Sequence, residues 1–475
     1  MQFEVLSEKD ITLVHEKSLE ILSKAGIKVD SSKVLDMMEK AGCDVCRENS
    51  IIRFPKQIIE KSLKQSPGKF MLGSLDGNCD MFLGEGNTYV TTDGQGCFTA
   101  DMETGERRYS TMKDLTDAAR LANSLDYISC FWPIVTANDV NSDYRSLHEI
   151  VEIWKVSSKH ITADCFNESQ AKYFIEVLEK ILGSREEIAK RNILSVCCCS
   201  ISPLIYDGPM LEGTILLGDA GVPVLLLPMP ISGTTSPMSS FSTVIQNNAE
   251  VLAGIAILQT ANPGRPIIYG SAPGILDMST SLFCAGSPEG GLQNAACAQM
   301  AKKYGIPNLI SAGGADAQAP GIQAATERMA GMLPGFLSGS DLICGVGLTG
   351  TAQYLYLEEL IIGEDIVGFC RRTAAGIGAG EEHCLTELAV ETGHGGDFLA
   401  EESTVEYLRS GEIYMPKNFC RESPESWLNS EKKDLMLFAE KKVNEVLSKK
   451  DKDNYSEELY QSLKEILKRA DLGAN

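Results

Sequence analysis

Residues 308–327 read NLISAGGADAQAPGIQAATE. The apolar run Leu309-Ile310 stops in Ser311-Ala312-Gly313-Gly314-Ala315-Asp316, and Pro320-Gly321 then open a helix that runs through Gln323 and Glu327. This is how a buried parallel strand ends at the mouth of a barrel: small residues let the backbone approach a ligand, and one carboxylate is expected in the cleft.

The same alternation extends to both sides. Candidate strands fall at 88–93, 127–136, 160–165, 193–201, 222–230, 266–271, 307–312 and 341–346, with helical segments near 111–124, 144–157, 169–183, 208–220, 241–260, 289–304, 321–335 and 351–370. Apolar strands alternating with amphipathic helices mean a parallel sheet, and eight units predict a closed (β/α)8 TIM barrel within the α/β class. An open dinucleotide-binding sheet would place G-x-G-x-x-G after its first strand. Gly345-Val346-Gly347 follows the eighth strand and lacks the third glycine. The expected organisation is an N-terminal helical and β elaboration over 1–87, a catalytic barrel over 88–375, and a loop over the barrel mouth with a C-terminal helical extension over 376–475.

The N-terminal part reads as two or three short helices over 7–65, the first capped by Ser7 with Asp10 three positions on. Residues 68–110 look β-rich, with a turn at Glu103-Thr104-Gly105-Glu106. Residues 430–475 read as amphipathic helices that pack on the barrel or form a dimer contact.

The chain has 475 residues, 43% of them hydrophobic, enough for one large barrel with additions. Its net charge of −22 argues against nucleic acid and anionic membranes as partners. The N-terminus lacks the basic and apolar regions of a signal peptide, and no apolar run reaches 18 residues, so a cytoplasmic location is expected. Most of the fifteen cysteines sit in apolar strands, as in Cys197-Cys198-Cys199, and read as buried reduced thiols.

The strand ends are rich in Gly, Pro and Ser and poor in His, Lys and Cys. The five histidines form no H-x-x-x-H pair, no C-x-x-C stands near a histidine, and P-loop and G-x-S-x-G motifs are absent. Lys159 precedes its strand and is not placed for a Schiff base. No metal site is expected. The mouth offers aspartates (Asp93, Asp164, Asp316) and aromatics (Phe98, Trp132, Tyr269, Phe283, Tyr354, Tyr356), a set that suits a cationic small molecule. For any one of these aromatics, core packing is the simpler reading.

Five segments resemble the trimethylamine methyltransferase family in order and spacing: LEILSKAGIKVD around Ala25-Gly26-Ile27, Tyr89 to Gly96, Gly313 to Glu327, Leu357 to Asp365, and Gly393-His394-Gly395-Gly396-Asp397-Phe398-Leu399 leading to Trp427. The resemblance implies a barrel methyltransferase that moves a methyl group from an amine to the Co(I) of a separate corrinoid protein. The founding members carry pyrrolysine in this loop, where Gly313 to Asp316 of this chain are only Gly, Ala and Asp. That departure implies the non-pyrrolysine branch and a quaternary amine such as glycine betaine, proline betaine, carnitine or γ-butyrobetaine.

The corrinoid-binding signature D-x-H-x-x-G is missing. No cofactor is therefore expected in this chain, with cob(I)alamin and methylcobalamin supplied by the corrinoid partner, and the chain itself is expected to be a homo-oligomer. On this reading Asp93 and Asp316 are the catalytic carboxylates that balance the ammonium. Phe98, Trp132, Tyr354 and Tyr356 are cage residues, and Gly313, Gly314, Gln323 and His394 are donors for a betaine carboxylate. Two other readings stand beside it: another barrel enzyme (a lyase, or a methyltransferase using another methyl donor) and a non-catalytic betaine-binding scaffold.

Overall fold

A computed structural model describes residues 3–101, 104–449 and 453–473. Eight parallel strands close into a barrel in chain order: β1 Tyr89–Thr92, β2 Cys130–Phe131, β3 His160–Asp164, β4 Leu194–Cys198, β5 Val224–Leu226, β6 Ile267–Ser271, β7 Asn308–Ser311 and β8 Leu342–Val346. β8 returns to β1 with Leu342 opposite Tyr89 and Val346 opposite Thr92, across a bulge. The outer helices are α1 Met112–Ser124, α2 Arg145–Val156, α3 Glu168–Leu182, α4 Gly208–Asp219, α5 Ser240–Ala261, α6 Pro288–Tyr304, α7 Ile322–Ser338 and α8 Glu358–Ala375. Thr111, Asn167, Asp207, Ser239 and Ser287 start five of them with side-chain caps on otherwise unpaired amides.

All eight expected strands are present, with three local departures. β2 is short because Pro133, which has no amide hydrogen, follows Phe131 by two residues and stops the ladder. α8 begins at Glu358 rather than near 351. Residues 348–355 instead form a hairpin whose turn holds Thr351 and Ala352 at φ +59° and +62°, a backbone no right-handed helix can pass through. The helix Arg185–Arg191, between α3 and β4, is too short to show an apolar period in sequence.

The lumen is filled by Cys130, Cys197, Leu225, Ile268, Leu309, Leu342 and Cys344. Its lower end is plugged by a hairpin, Phe70–Leu72 against Met81–Leu83, which adds Leu72, Met81 and Leu83 to the same cluster. Groups at the strand starts hold this plug. Asp341 accepts from the Gly84 amide at 2.7 Å, and the His160 ring lies 3.1 Å from the Gly73 carbonyl and 2.9 Å from Ser195 Oγ. Lys159 donates to the carbonyls of Ala122, Leu125 and Ile128, and burial lowers its pKa to about 8.

Three N-terminal helices (Glu8–Lys24, Ser32–Lys40, Lys56–Gln65) cover one flank, and Ser7 and Asp10 form the anticipated reciprocal cap. α5 is apolar and long enough to cross a membrane by composition, yet 83% of its apolar window is buried within the protein. It lies between the barrel and the N-terminal layer, where Asn248 reaches Ser18 Oγ at 2.9 Å. Of the C-terminal helices, Leu435–Leu447 packs on α1 and α8, and Glu457–Leu472 on α3. Of the turn expected at 103–106, Glu103 lies outside the described residues, and the Thr104 amide donates to Asp101 Oδ1 at 2.7 Å.

The expected loop over the mouth is placed elsewhere. Gly376 follows the foot of α8, beside the strand starts, because a helix returning from a strand end finishes at the opposite end of the barrel.

Burial lowers the pKa of His160 to about 4. Its unfolded value is near 6.5, so the stability carried by the neutral ring is complete above pH 6.5 and is lost as pH falls from 6.5 to about 4. Between pH 7.5 and 5 the wild type should lose roughly 2 kcal/mol more than His160→Gln, read from urea midpoints at the two pH values. Equal losses would mean the ring is protonated in place.

Candidate functional site

The mouth is built where the strands end. After β1 comes Asp93, 8% exposed, whose carboxylate accepts from the Gly94 amide at 3.0 Å and lies 3.9 Å from the Cys344 thiol. Burial raises its pKa; the Gly94 bond and the positive field of Arg328 offset part of that rise. Gly94 lies over the Trp132 indole, where a Cβ would sit 3.0 Å from the ring. Thr92 fixes that ring from below: its Oγ1 donates to the Trp132 carbonyl at 2.8 Å and accepts from the Trp132 amide at 2.9 Å. Trp132 is 6% exposed, and its indole N–H has no protein partner. A buried orphan donor costs free energy, and at a strand end it is a candidate contact for a ligand.

β3 ends in Asp164, also 8% exposed. Burial, then repulsion from Glu149, raises its pKa to about 7. Gln95, held at φ +65°, turns its side-chain amide onto Asp164. A non-glycine residue in that conformation is strained by about 1 kcal/mol or more, and such strain collects at functional sites. Asp164 was visible in the sequence as one mouth aspartate among three, but nothing there marked it as the one whose charge is most perturbed.

The 311–327 stretch serves a different purpose from the one its composition implies. Asp316 has both carboxylate oxygens occupied by protein donors: Ala285 N at 2.7 Å and Thr351 Oγ1 at 3.0 Å on one, Gly286 N at 3.0 Å on the other. It staples three loops together. Glu327 does likewise, accepting from the amides of Asp316 and Ala317 at 2.8 and 3.0 Å and from Gln323 at 2.7 Å. Gln323 is exposed and bonded only within its own helix. The Gly313 amide donates to the Cys344 carbonyl at 2.9 Å, so it is not a spare donor. A Cβ on Gly313 would meet the Gly345 carbonyl group at 3.0 Å, and one on Gly314 would meet Ala285 at 2.8 Å, so these two glycines permit close backbone approach.

What binds the β7 and β8 ends is Arg328 on α7. It is fully buried and donates to the carbonyls of Gly313 (2.6 Å), Gly345 and Leu348 (3.0 Å), and to Glu359 Oε2 at 2.7 Å. The sequence showed one arginine on a helix face and gave no sign of this clamp.

The expected aromatics separate into groups. Phe98 and Tyr354 come together, ring centroids 5.7 Å apart, on a small sheet at the rim. One face of Tyr354 is already covered by the Arg107 guanidinium at 3.9 Å. Tyr356 is buried just before α8. Tyr269 is wholly buried among the outer helices, bonded to Asn248. His394 is exposed, in the segment that leaves the foot of α8. Around the rim, Met229, Met238, Met278 and Leu282 are exposed on the loops after β5 and β6. Among the described residues, no group of three or more His, Cys, Asp or Glu is arranged to hold a metal ion.

A closed eight-stranded parallel barrel with buried carboxylates and an indole at its strand ends defines the TIM-barrel class. Comparison with known proteins makes the class particular. Residues 1–473 match the profile described as trimethylamine methyltransferase (MTTB), and the chain belongs to that family. It is a methyltransferase. It is 31% identical over 416 residues to trimethylamine methyltransferase MttB of Methanosarcina thermophila, spanning 85% of this chain and 84% of that one. With glycine betaine methyltransferase of Desulfitobacterium hafniense it shares 28% identity over 385 residues, 80% and 79% of the two chains. The solved monomethylamine methyltransferase (MtmB) of Methanosarcina barkeri has the same fold, with a TM-score of 0.51, 12% identity, and coverage of 92% of this chain and 94% of that one.

Removing Arg328 alone strands the buried Glu359 carboxylate and three carbonyls. Arg328→Met should cost about 3–5 kcal/mol in urea denaturation, and Arg328→Met/Glu359→Leu should recover part of it. Additive losses in the double variant would mean the pair is not coupled.

Proposed function

We propose that this methyltransferase takes its methyl group from a quaternary amine of the betaine class and passes it to the Co(I) of a separate corrinoid protein. The observation that carries the proposal is the burial of two strand-end carboxylates, Asp93 and Asp164, together with the Trp132 indole that lies against Gly94. A quaternary ammonium has no proton to donate, so it is held by charge and by aromatic faces. Trimethylamine, by contrast, offers its own lone pair. The 313–316 loop, made of Gly, Ala and a fully bonded Asp316, has no spare side chain to engage it.

The reaction asks little acid–base chemistry of the protein. The corrinoid supplies the nucleophile, the methyl C–N bond breaks, and its electron pair leaves with nitrogen as a neutral tertiary amine. No general acid is required. The chain's residues orient the ammonium and exclude water. Asp93 and Asp164 balance its charge, and Trp132 presents its ring, with the orphan indole N–H available to the substrate carboxylate. Phe98 and Tyr354 form the outer edge. The exposed methionines at the rim supply an adaptable apolar surface on which the corrinoid protein can seat.

The test is methylation of cob(I)alamin under reducing, anaerobic conditions with trimethylamine, glycine betaine, proline betaine, carnitine and γ-butyrobetaine. Turnover is expected on a quaternary amine and not on trimethylamine. Turnover on trimethylamine alone, or on none of the five with the cognate corrinoid protein present, would reject the proposal.

A second test uses pH. Asp164 must be ionised to hold the cation, and its pKa is raised to about 7, so the substrate Kd should fall from pH 6 to 8, with nearly one proton released on binding at the acid end and almost none at the alkaline end. Asp164→Asn should raise Kd about 10- to 100-fold at pH 8 and flatten that dependence. The same raised pKa means that stability falls as pH rises from about 4 to 7, because Asp164 ionises in the unfolded chain while it stays protonated in the folded one. A wild-type affinity independent of pH would remove Asp164 from the site.

A further inference from the structure

The chain between Gly376 and Glu412 has no place in the mouth and no core of its own. Both ends of this arm are pinned by Arg372, which donates to the carbonyls of Gly376 and Glu412 and to the Glu412 carboxylate at 2.8 Å. Between the pins lie the helices Thr386–Thr392 and Glu402–Ser410. No residue from 376 to 417 is buried, although the arm carries Ile377 at 86%, Val390 at 74% and Leu399 at 82% exposure. Its two helices face an open apolar hollow of about 410 Å³ lined by Leu385, Leu388, Phe398 and Tyr407. Ordering a chain costs conformational entropy that buried apolar area must offset, and this arm buries almost none by itself.

The flank made by α7 and α8 has the complementary need. An apolar groove of about 650 Å³ runs along it, lined by Phe3, Met329, Leu333, Leu337, Ile366 and Phe419. At Leu337 it meets a second hollow of about 890 Å³ whose cations are Lys302 and Arg371. Lys302 donates to the Ser338 carbonyl at 2.5 Å; Arg371 has no hydrogen bond or ion pair among the described residues. The acid in that hollow, Asp126, is engaged by Lys417 at 3.2 Å. The arm from 377 to 412 carries nine acidic residues against one arginine, Arg409, so an acidic, apolar arm and a basic, apolar flank are carried by one chain.

We propose that the arm docks on the α7/α8 flank of a second copy of this chain. Its apolar residues, Phe398 and Leu399 foremost, fill the groove, and its acids face Arg371 and Lys302. Each copy supplies one arm and one flank, and in the proposed assembly the exchange is reciprocal, closing about a two-fold axis. Two arm–flank contacts together suit the ~800 Å² per partner of a standard interface.

Three measurements by sedimentation equilibrium at micromolar concentration test this, with circular dichroism confirming that each protein is folded. The wild type should be a dimer or a higher even-numbered assembly. A chain with residues 378–410 replaced by a short Gly-Ser linker should drop to half that state or lower, and Arg371→Glu should raise the dissociation constant at least tenfold. Mixed, the two variants should re-associate as a hetero-pair, since one brings an intact flank and the other an intact arm. A monomeric wild type, a linker variant that keeps the wild-type state, or variants that do not re-associate would each overturn the proposal.

Discussion

The buried pair of Arg328 and Glu359 is the constraint on which the mouth depends. At the top of the barrel the β7 and β8 backbones touch through Gly313 and Gly345, a contact that only residues without a Cβ can make. Such closeness leaves the carbonyls of Gly313, Gly345 and Leu348 converging on one point. One guanidinium, wholly out of water, satisfies all three, and Glu359 neutralises it. A buried charge is tolerable when its counter-charge and most of its donors are engaged; here both terminal nitrogens and the Glu359 counter-charge are, and the Nε–H alone has no protein partner. The same positive field reaches Asp93 across the mouth and offsets part of the burial that raises its pKa.

From this clamp follows a division of labour among the carboxylates. Asp316 and Glu327 stitch loops, their oxygens already bonded to amides and hydroxyls. Asp93 and Asp164 are buried with fewer donors, so their charged forms lack full solvation and gain most from an added cation. A site of this kind favours a ligand that brings permanent positive charge. It also needs a rigid frame, because an electrostatic site works only if its charges do not relax toward each other. The Thr92–Trp132 bonds and the Arg328 clamp provide that rigidity.

The barrel was legible because its period is strong. Eight apolar runs, each followed by a helical segment, leave few other architectures, and the structure places a strand in each expected interval. The site was legible only in part. Asp93 and Trp132 stand at the mouth as their positions after strands implied. Asp316 was the most conspicuous residue in the sequence because glycines surround it, yet those glycines serve backbone contact and its carboxylate serves the loops. The segment around His394 looked like a lid from its glycines, but it springs from the foot of α8.

By itself, then, the sequence determined the number and order of the strand–helix units, since these depend on local periodicity and capping that each segment carries alone. It also determined which residue types reach the strand ends. Which carboxylates are bonded, which are left for a ligand, and where the long excursion after α8 stands were decided by tertiary structure. Those outcomes depend on partners far away in the chain: Ala285 and Thr351 for Asp316, Gln95 and Glu149 for Asp164, and Gly313, Gly345 and Glu359 for Arg328. Hydrogen-bond saturation and desolvation are properties of a packed neighbourhood, and no window of sequence contains one.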